Sequence, residues 1–73
     1  MAEQIVKAPI RARVIRFHVQ KGASVKLNER VCDIEAMKME VAVFSPAAGT
    51  IKDLLATPSQ SVEAGTPLFS IEV

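Results

Sequence analysis

Residues 6–36, VKAPIRARVIRFHVQKGASVKLNERVCDIEA, overlie residues 43–73, VFSPAAGTIKDLLATPSQSVEAGTPLFSIEV, without a gap at an offset of 37 positions. Pro9 falls on Pro46, Val14 on Ile51, Val25 on Val62, Val31 on Leu68, Ile34 on Ile71 and Glu35 on Glu72. A repeat of this size cannot bury its own apolar face, so each copy has to be completed by its neighbour. With two copies, about residues 5–36 and 42–73, the simple solution is a two-fold arrangement around one shared core, in a single domain over residues 1–73.

Each copy reads as short strands. Ile5–Ala8 comes first and Pro9 limits it. Arg13–Val19 has the Val, Ile and Phe of a strand, although Ile15 breaks strict alternation. Lys21-Gly22 signals a turn, Ser24–Lys26 a very short strand, and Leu27–Glu29 a second turn. Asn28 falls on Gly65, and these are the residue types that best tolerate a left-handed backbone, so both are expected to close the same turn. Arg30–Ala36 and Met39–Phe44 are strands, and Gly49–Leu55, Val62 and Leu68–Val73 continue the pattern. The expected fold is all-β: a flattened barrel or sandwich of two small antiparallel sheets with pseudo-two-fold symmetry.

Composition narrows the functions this frame can serve. The chain has 73 residues, 49% of them hydrophobic, with no Trp or Tyr and three Phe. That excludes a disordered chain and an aromatic stacking surface for single-stranded nucleic acid. Nine basic and eight acidic residues leave a formal charge of +1, too balanced to point to a nucleic-acid partner or a membrane surface. Basic residues gather early, at Lys7, Arg11, Arg13, Arg16, Lys21, Lys26 and Arg30, and read as a solvated strand face. One cysteine, Cys32, cannot form an internal disulfide and fits a reducing compartment. No apolar run is long enough for direct membrane insertion and no signal peptide is evident, so a cytoplasmic protein or an excised module is expected.

At the centre stands Glu35-Ala36-Met37-Lys38-Met39-Glu40. Ala36–Met39 has good helix propensity but is too short and is flanked by strand formers, so Met37-Lys38 reads as a tight hairpin turn joining the copies. A lysine at such a tip projects into solvent, open to an acyl donor held by an enzyme. Met37 and Met39 cannot both be deep core there, which makes at least one of them a contact surface. No nearby His/Asp/Ser set suggests catalysis, and a single histidine, His18, excludes a histidine-cluster metal site. His18 reads as an exposed or half-buried strand residue, and Cys32 as a half-buried one.

EAMKME, preceded by Val31-Cys32-Asp33-Ile34, resembles the attachment site of biotin carboxyl carrier proteins, within the wider biotinyl/lipoyl domain family. The similarity covers residues 5–73, with Pro9, Gly22, Pro46, Gly49, Val62, Gly65 and Leu68 at the family's repeat landmarks. It implies biotin joined to Lys38 through an amide, made by biotin protein ligase from biotinyl-adenylate. It makes Met37 and Met39, with Ala36 and Glu35, the flanks that partner enzymes recognise, and gives Glu35 no catalytic part. The implied role is that of a carrier with no catalysis of its own. Its biotin moves a carboxyl group between biotin carboxylase and carboxyltransferase sites, or takes it from the substrate in a decarboxylase or transcarboxylase complex.

The chain departs from that family in two places. Ala12 stands where the first copy usually has glycine, and Ser59 where the second does. Both turns are therefore expected to lose conformational freedom and to differ from the usual backbone. No extra segment separates Val25 from Arg30, where some acetyl-CoA carboxylase carriers have a protruding thumb. Two alternatives stand beside biotin carriage: a lipoyl carrier domain, against which the paired methionines argue, and an unmodified interaction module.

Overall fold

A computed structural model describes residues 2–73. Eight strands follow one another: β1 (Glu3–Lys7), β2 (Ala12–Phe17), β3 (Ser24–Val25), β4 (Arg30–Ala36), β5 (Met39–Phe44), β6 (Gly49–Leu54), β7 (Ser61–Val62) and β8 (Pro67–Glu72). They form two four-stranded antiparallel sheets, ordered β1-β8-β6-β3 and β5-β4-β2-β7. This is the all-β, two-sheet architecture expected from the repeat. Several strand ends differ by a residue or two: Ala8, His18, Val19, Lys26, Leu55 and Val73 lie outside the ladders, while Glu3, Gln4, Ala12, Ser61 and Pro67 join them.

The copies do not make one sheet each. β1 of the first copy pairs with β8 of the second, and β5 of the second pairs with β4 of the first. This exchange is how each copy completes the other. Val14, Val25, Val31, Ile34, Ile51, Val62, Leu68, Phe69 and Ile71 are buried between the sheets. Cross-copy backbone bonds repeat the symmetry. Gly22 N–H donates to Ile51 O (2.8 Å) and Ser59 N–H to Val14 O (2.7 Å). Asn28 N–H donates to Ser45 O and Gly65 N–H to Ala8 O, both at 2.8 Å.

Irregularities repeat as well. The β2–β4 register shifts between Val14 and Arg16, and the β6–β8 register between Ile51 and Asp53. Each shift leaves one residue unpaired, Ile15 and Lys52, which is how a β-bulge absorbs an extra residue. The bulge accounts for the alternation that Ile15 breaks. Asn28 (φ 67°) and Gly65 (φ 90°) both adopt the left-handed backbone expected of their shared turn.

The expectation of altered turns at Ala12 and Ser59 is corrected at both positions. Ser59 keeps the left-handed backbone (φ 74°) of its counterpart Gly22 (φ 90°), so the turn is conserved and the serine bears strain instead. Ala12 lies in β2, paired with Val62, and is not a turn residue. Its counterpart Gly49 pairs with Val25 and is needed for space. A Cβ at Gly49 would overlap the Glu72 carbonyl oxygen and sit 2.9 Å from the Ile71 side chain. Cys32 is fully buried, not half-buried, because β4 runs through the centre of its sheet between β5 and β2. Burial, and then the neighbouring Asp33 charge, push its thiol pKa up to about 11, leaving an inert packing residue.

Candidate functional site

β4 and β5 are joined by a two-residue loop, Met37-Lys38, closed by the Ala36–Met39 pair. Both loop residues have positive φ, 53° and 63°. Positive φ at both central positions is what the tightest hairpin turns require, and Asn-Gly is their usual sequence. Met and Lys carry side chains that disfavour this backbone, so the flanking β4–β5 ladder holds the turn in place. The expected hairpin is thus present, in a conformation its residue types do not favour by themselves.

Lys38 is exposed and takes part in none of the ion pairs among the described residues. Met37 and Met39 are 85% and 67% exposed, so neither is core. Ala36 is buried beneath the turn and Glu35 is half-buried, its Oε1 accepting from Arg13 Nη2 at 3.0 Å. The four flanking residues and the lysine thus occupy one hairpin end, with an unencumbered amine beside two solvent-facing thioethers. Nothing in this geometry obstructs an acyl group on the lysine.

A shallow groove runs beside the turn, and Ile10, Arg11, Arg13, Glu35, Ala36, Met37 and Ser61 are among the residues that line it. Its sides come from the β1–β2 connection and from the ends of β2, β4 and β7.

Below the turn, the outer face of the same sheet holds a cluster of charged groups. Asp33 is fully buried, yet its Oδ2 accepts from Arg16 Nη1 (2.6 Å) and its Oδ1 from Arg30 Nε (2.7 Å). His18 Nε2 lies 2.8 Å from Oδ2, and since a carboxylate only accepts, the histidine donates. Arg16 Nη1 also donates to Glu40 Oε1 at 2.8 Å, and Arg30 Nη2 lies 3.7 Å from the same oxygen. Burial by itself would raise the Asp33 pKa. Hydrogen bonds from Arg30, His18 and Arg16 outweigh it and hold the carboxyl well below the usual carboxylate range. Both guanidinium pKa values are raised, Arg16 first by its bond to Glu40 and Arg30 by its bond to Asp33.

The sequence did not announce this cluster, and the absence of a close His/Asp set is corrected here. His18 sits just past β2, not within it, and the β2–β4 pairing brings it to Asp33. The available signal was an aspartate inside the apolar run Val31–Ile34, downstream of a surplus of arginine. Arg11 pairs with Glu63 and Lys21 with Asp53, so the early basic residues are largely neutralised. That agrees with a solvated face. Among the described residues no group of three or more His, Cys, Asp and Glu side chains could hold a metal ion, and no helix is long and apolar enough to cross a membrane.

Comparison with known proteins places this geometry. A family model described as "Biotin-requiring enzyme" matches residues 3–71. The methylcrotonoyl-CoA carboxylase subunit alpha of Arabidopsis thaliana is 36% identical over 67 residues, 92% of this chain and 9% of the plant protein. The succinyltransferase component of the human 2-oxoglutarate dehydrogenase complex, a dihydrolipoyllysine-residue enzyme, is 44% identical over 57 residues, 78% of this chain and 13% of the human protein. The crystal structure of Kluyveromyces lactis urea carboxylase superposes with a TM-score of 0.92 at 25% identity, over 99% of this chain and 6% of that one. The chain thus spans a small fraction of each relative's length. Matched over nearly its whole length, with two interleaved sheets presenting a lysine on a hairpin, it belongs to the biotin-requiring enzyme family of biotinyl/lipoyl-attachment domains.

Proposed function

We propose that this protein is a biotin carboxyl carrier module, modified on Lys38 and serving a biotin-dependent carboxylase, decarboxylase or transcarboxylase. The observation that carries the reading is the exposed Lys38, second residue of the hairpin turn, between the exposed Met37 and Met39 side chains. Lys38 would present its unprotonated amine to biotinyl-adenylate held by biotin protein ligase. An amide C–N bond forms, the bond from the acyl carbon to AMP breaks, and the amine loses its proton. Attached biotin supplies a ureido nitrogen that accepts and returns a carboxyl group. The chain's own residues mount and aim it. Tethering keeps the carried group at high local concentration near the biotin carboxylase and carboxyltransferase partners. We place the carrier in the cytoplasm, with which a chain holding one cysteine and no internal disulfide is compatible.

Intact mass after incubation with biotin, ATP and excess biotin protein ligase is the test. One biotinyl addition is expected on the wild type and none on Lys38→Arg. No addition at saturating ligase would remove the reading. The likeness to the human succinyltransferase component supports lipoyl carriage as a second reading. Lipoyl addition by lipoate ligase at an efficiency equal to biotinylation would favour it.

A further inference from the structure

The two ends related by the pseudo-two-fold are built from the same backbone but not from the same chemistry. At the lysine end Ile10, Arg11 and Arg13 line the groove beside the turn. Their counterparts 37 positions on are Ala47, Ala48 and Thr50, which are small and uncharged. The first copy therefore concentrates two guanidinium groups and an exposed isoleucine where the lysine is mounted. Core packing does not account for them, because Arg11 and Arg13 are exposed and Ile10 is 41% exposed. Their ion pairs leave donors to spare. Arg13 uses Nη2 on Glu35 and Arg11 Nε lies 3.4 Å from Glu63, while each guanidinium has five N–H donors.

We propose that this groove is a seat for the group carried on Lys38, the arm folding back onto its own domain between visits to partner enzymes. The inference rests on the biotin reading. Biotin offers an apolar thioether ring and acyl chain, which suit Ile10, Ala36 and the Met37 side chain, and a ureido carbonyl oxygen, which suits a guanidinium donor. Met37 lines the groove and directly precedes Lys38, so the tether starts at its rim. Attachment fixes an effective concentration in the millimolar range, so an interaction too weak to bind free biotin still populates the seated arm.

The test compares amide NMR spectra of the unmodified domain and the biotinylated domain, with modification verified by intact mass. Shift changes are expected at Ile10, Arg11, Arg13 and Ser61 as well as at 36–40, with NOEs from biotin ring protons to the Ile10 methyl groups. The doubly substituted Arg11→Gln, Arg13→Gln chain should lose the changes at Ile10 and Ser61 while keeping those at the turn. Ile10→Ser provides a second variant should the double substitution disturb the fold, and it should lose the change at Ser61 while keeping those at the turn. Changes confined to 36–40 in the wild type would overturn the proposal and leave the groove to a partner enzyme. A failure to biotinylate appears in the mass before any spectrum is taken, so it counts against the carrier reading and not against the seat.

Discussion

The lysine-bearing sheet, β5-β4-β2-β7, and its counterpart, β1-β8-β6-β3, share strand order, bulges and turn backbones, but differ in charge at one buried pair of positions. Asp33 in the first sheet corresponds to Ser70 in the second. Asp33 gathers Arg16, Arg30 and His18, and the arginines reach on to Glu40 of the edge strand β5. The Ser70 hydroxyl is buried without a hydrogen-bond partner, and on that side Lys52 approaches Glu3 of edge strand β1 only at 3.5 Å. Backbone symmetry thus follows the repeated turns and bulges, which depend on a few residues. Side-chain chemistry is free to diverge, and it ties down the edge strand that leaves the lysine turn.

Removing Asp33 should break this contrast most severely. Asp33→Ala is expected to cost about 2–3 kcal/mol in chemical denaturation, somewhat less than a typical broken buried pair because the arginines left behind are half-exposed and screened by solvent. Acid should expose the same interaction. The folded carboxyl binds its proton less readily than the unfolded one, so its stabilisation is full above about pH 4 and drains as pH falls through the depressed folded value. A pH series of denaturation midpoints should show that slope in the wild type and a shallower one in Asp33→Ala.

Next in size is the crowded contact of Gly49 with the end of β8. Gly49→Ala should cost about 2 kcal/mol, because the new Cβ meets the β8 backbone, which cannot swing aside as a side chain can. At the related site, Ala12→Gly should cost about 0.5–1 kcal/mol, the ordinary penalty of glycine in a strand. Equal losses at the two sites would show that β8 yields. Ser59→Gly should stabilise by about 1 kcal/mol by relieving left-handed strain, measured as a rise in thermal midpoint. Ser70→Ala should be smallest, within about 0.5 kcal/mol of neutral or slightly stabilising, since the hydroxyl has no partner to lose. A clear loss there would reveal a bound water that makes the two sheets more alike than their side chains suggest.

Much of this was legible in the sequence because turns and apolar positions are local signals. The Asn28–Gly65 correspondence predicted a shared left-handed turn, and Met37-Lys38 fell between two strand-like runs. Less legible was whatever depends on register. Arg16 meets Asp33 only because the bulge at Ile15 shifts β2 by one residue against β4, and one residue of slip reverses which face a side chain occupies. Burial of Cys32 depends on β4 being a central strand, which the exchange of strands between copies decides. The groove was hidden for a related reason: it joins Ile10 and Ser61 across 51 positions of chain.

The glycine-free turn at Met37-Lys38 has a mechanical consequence. A glycine pair would swivel, and the arm would sweep from a wandering anchor. For a carrier modified on Lys38 the backbone would be set before any partner arrives, so motion would begin only at the lysine side chain, and the carried group would pass between its seat and its targets about a fixed point. A docking enzyme would then have only the arm left to immobilise, which would lower the ordering cost of each delivery.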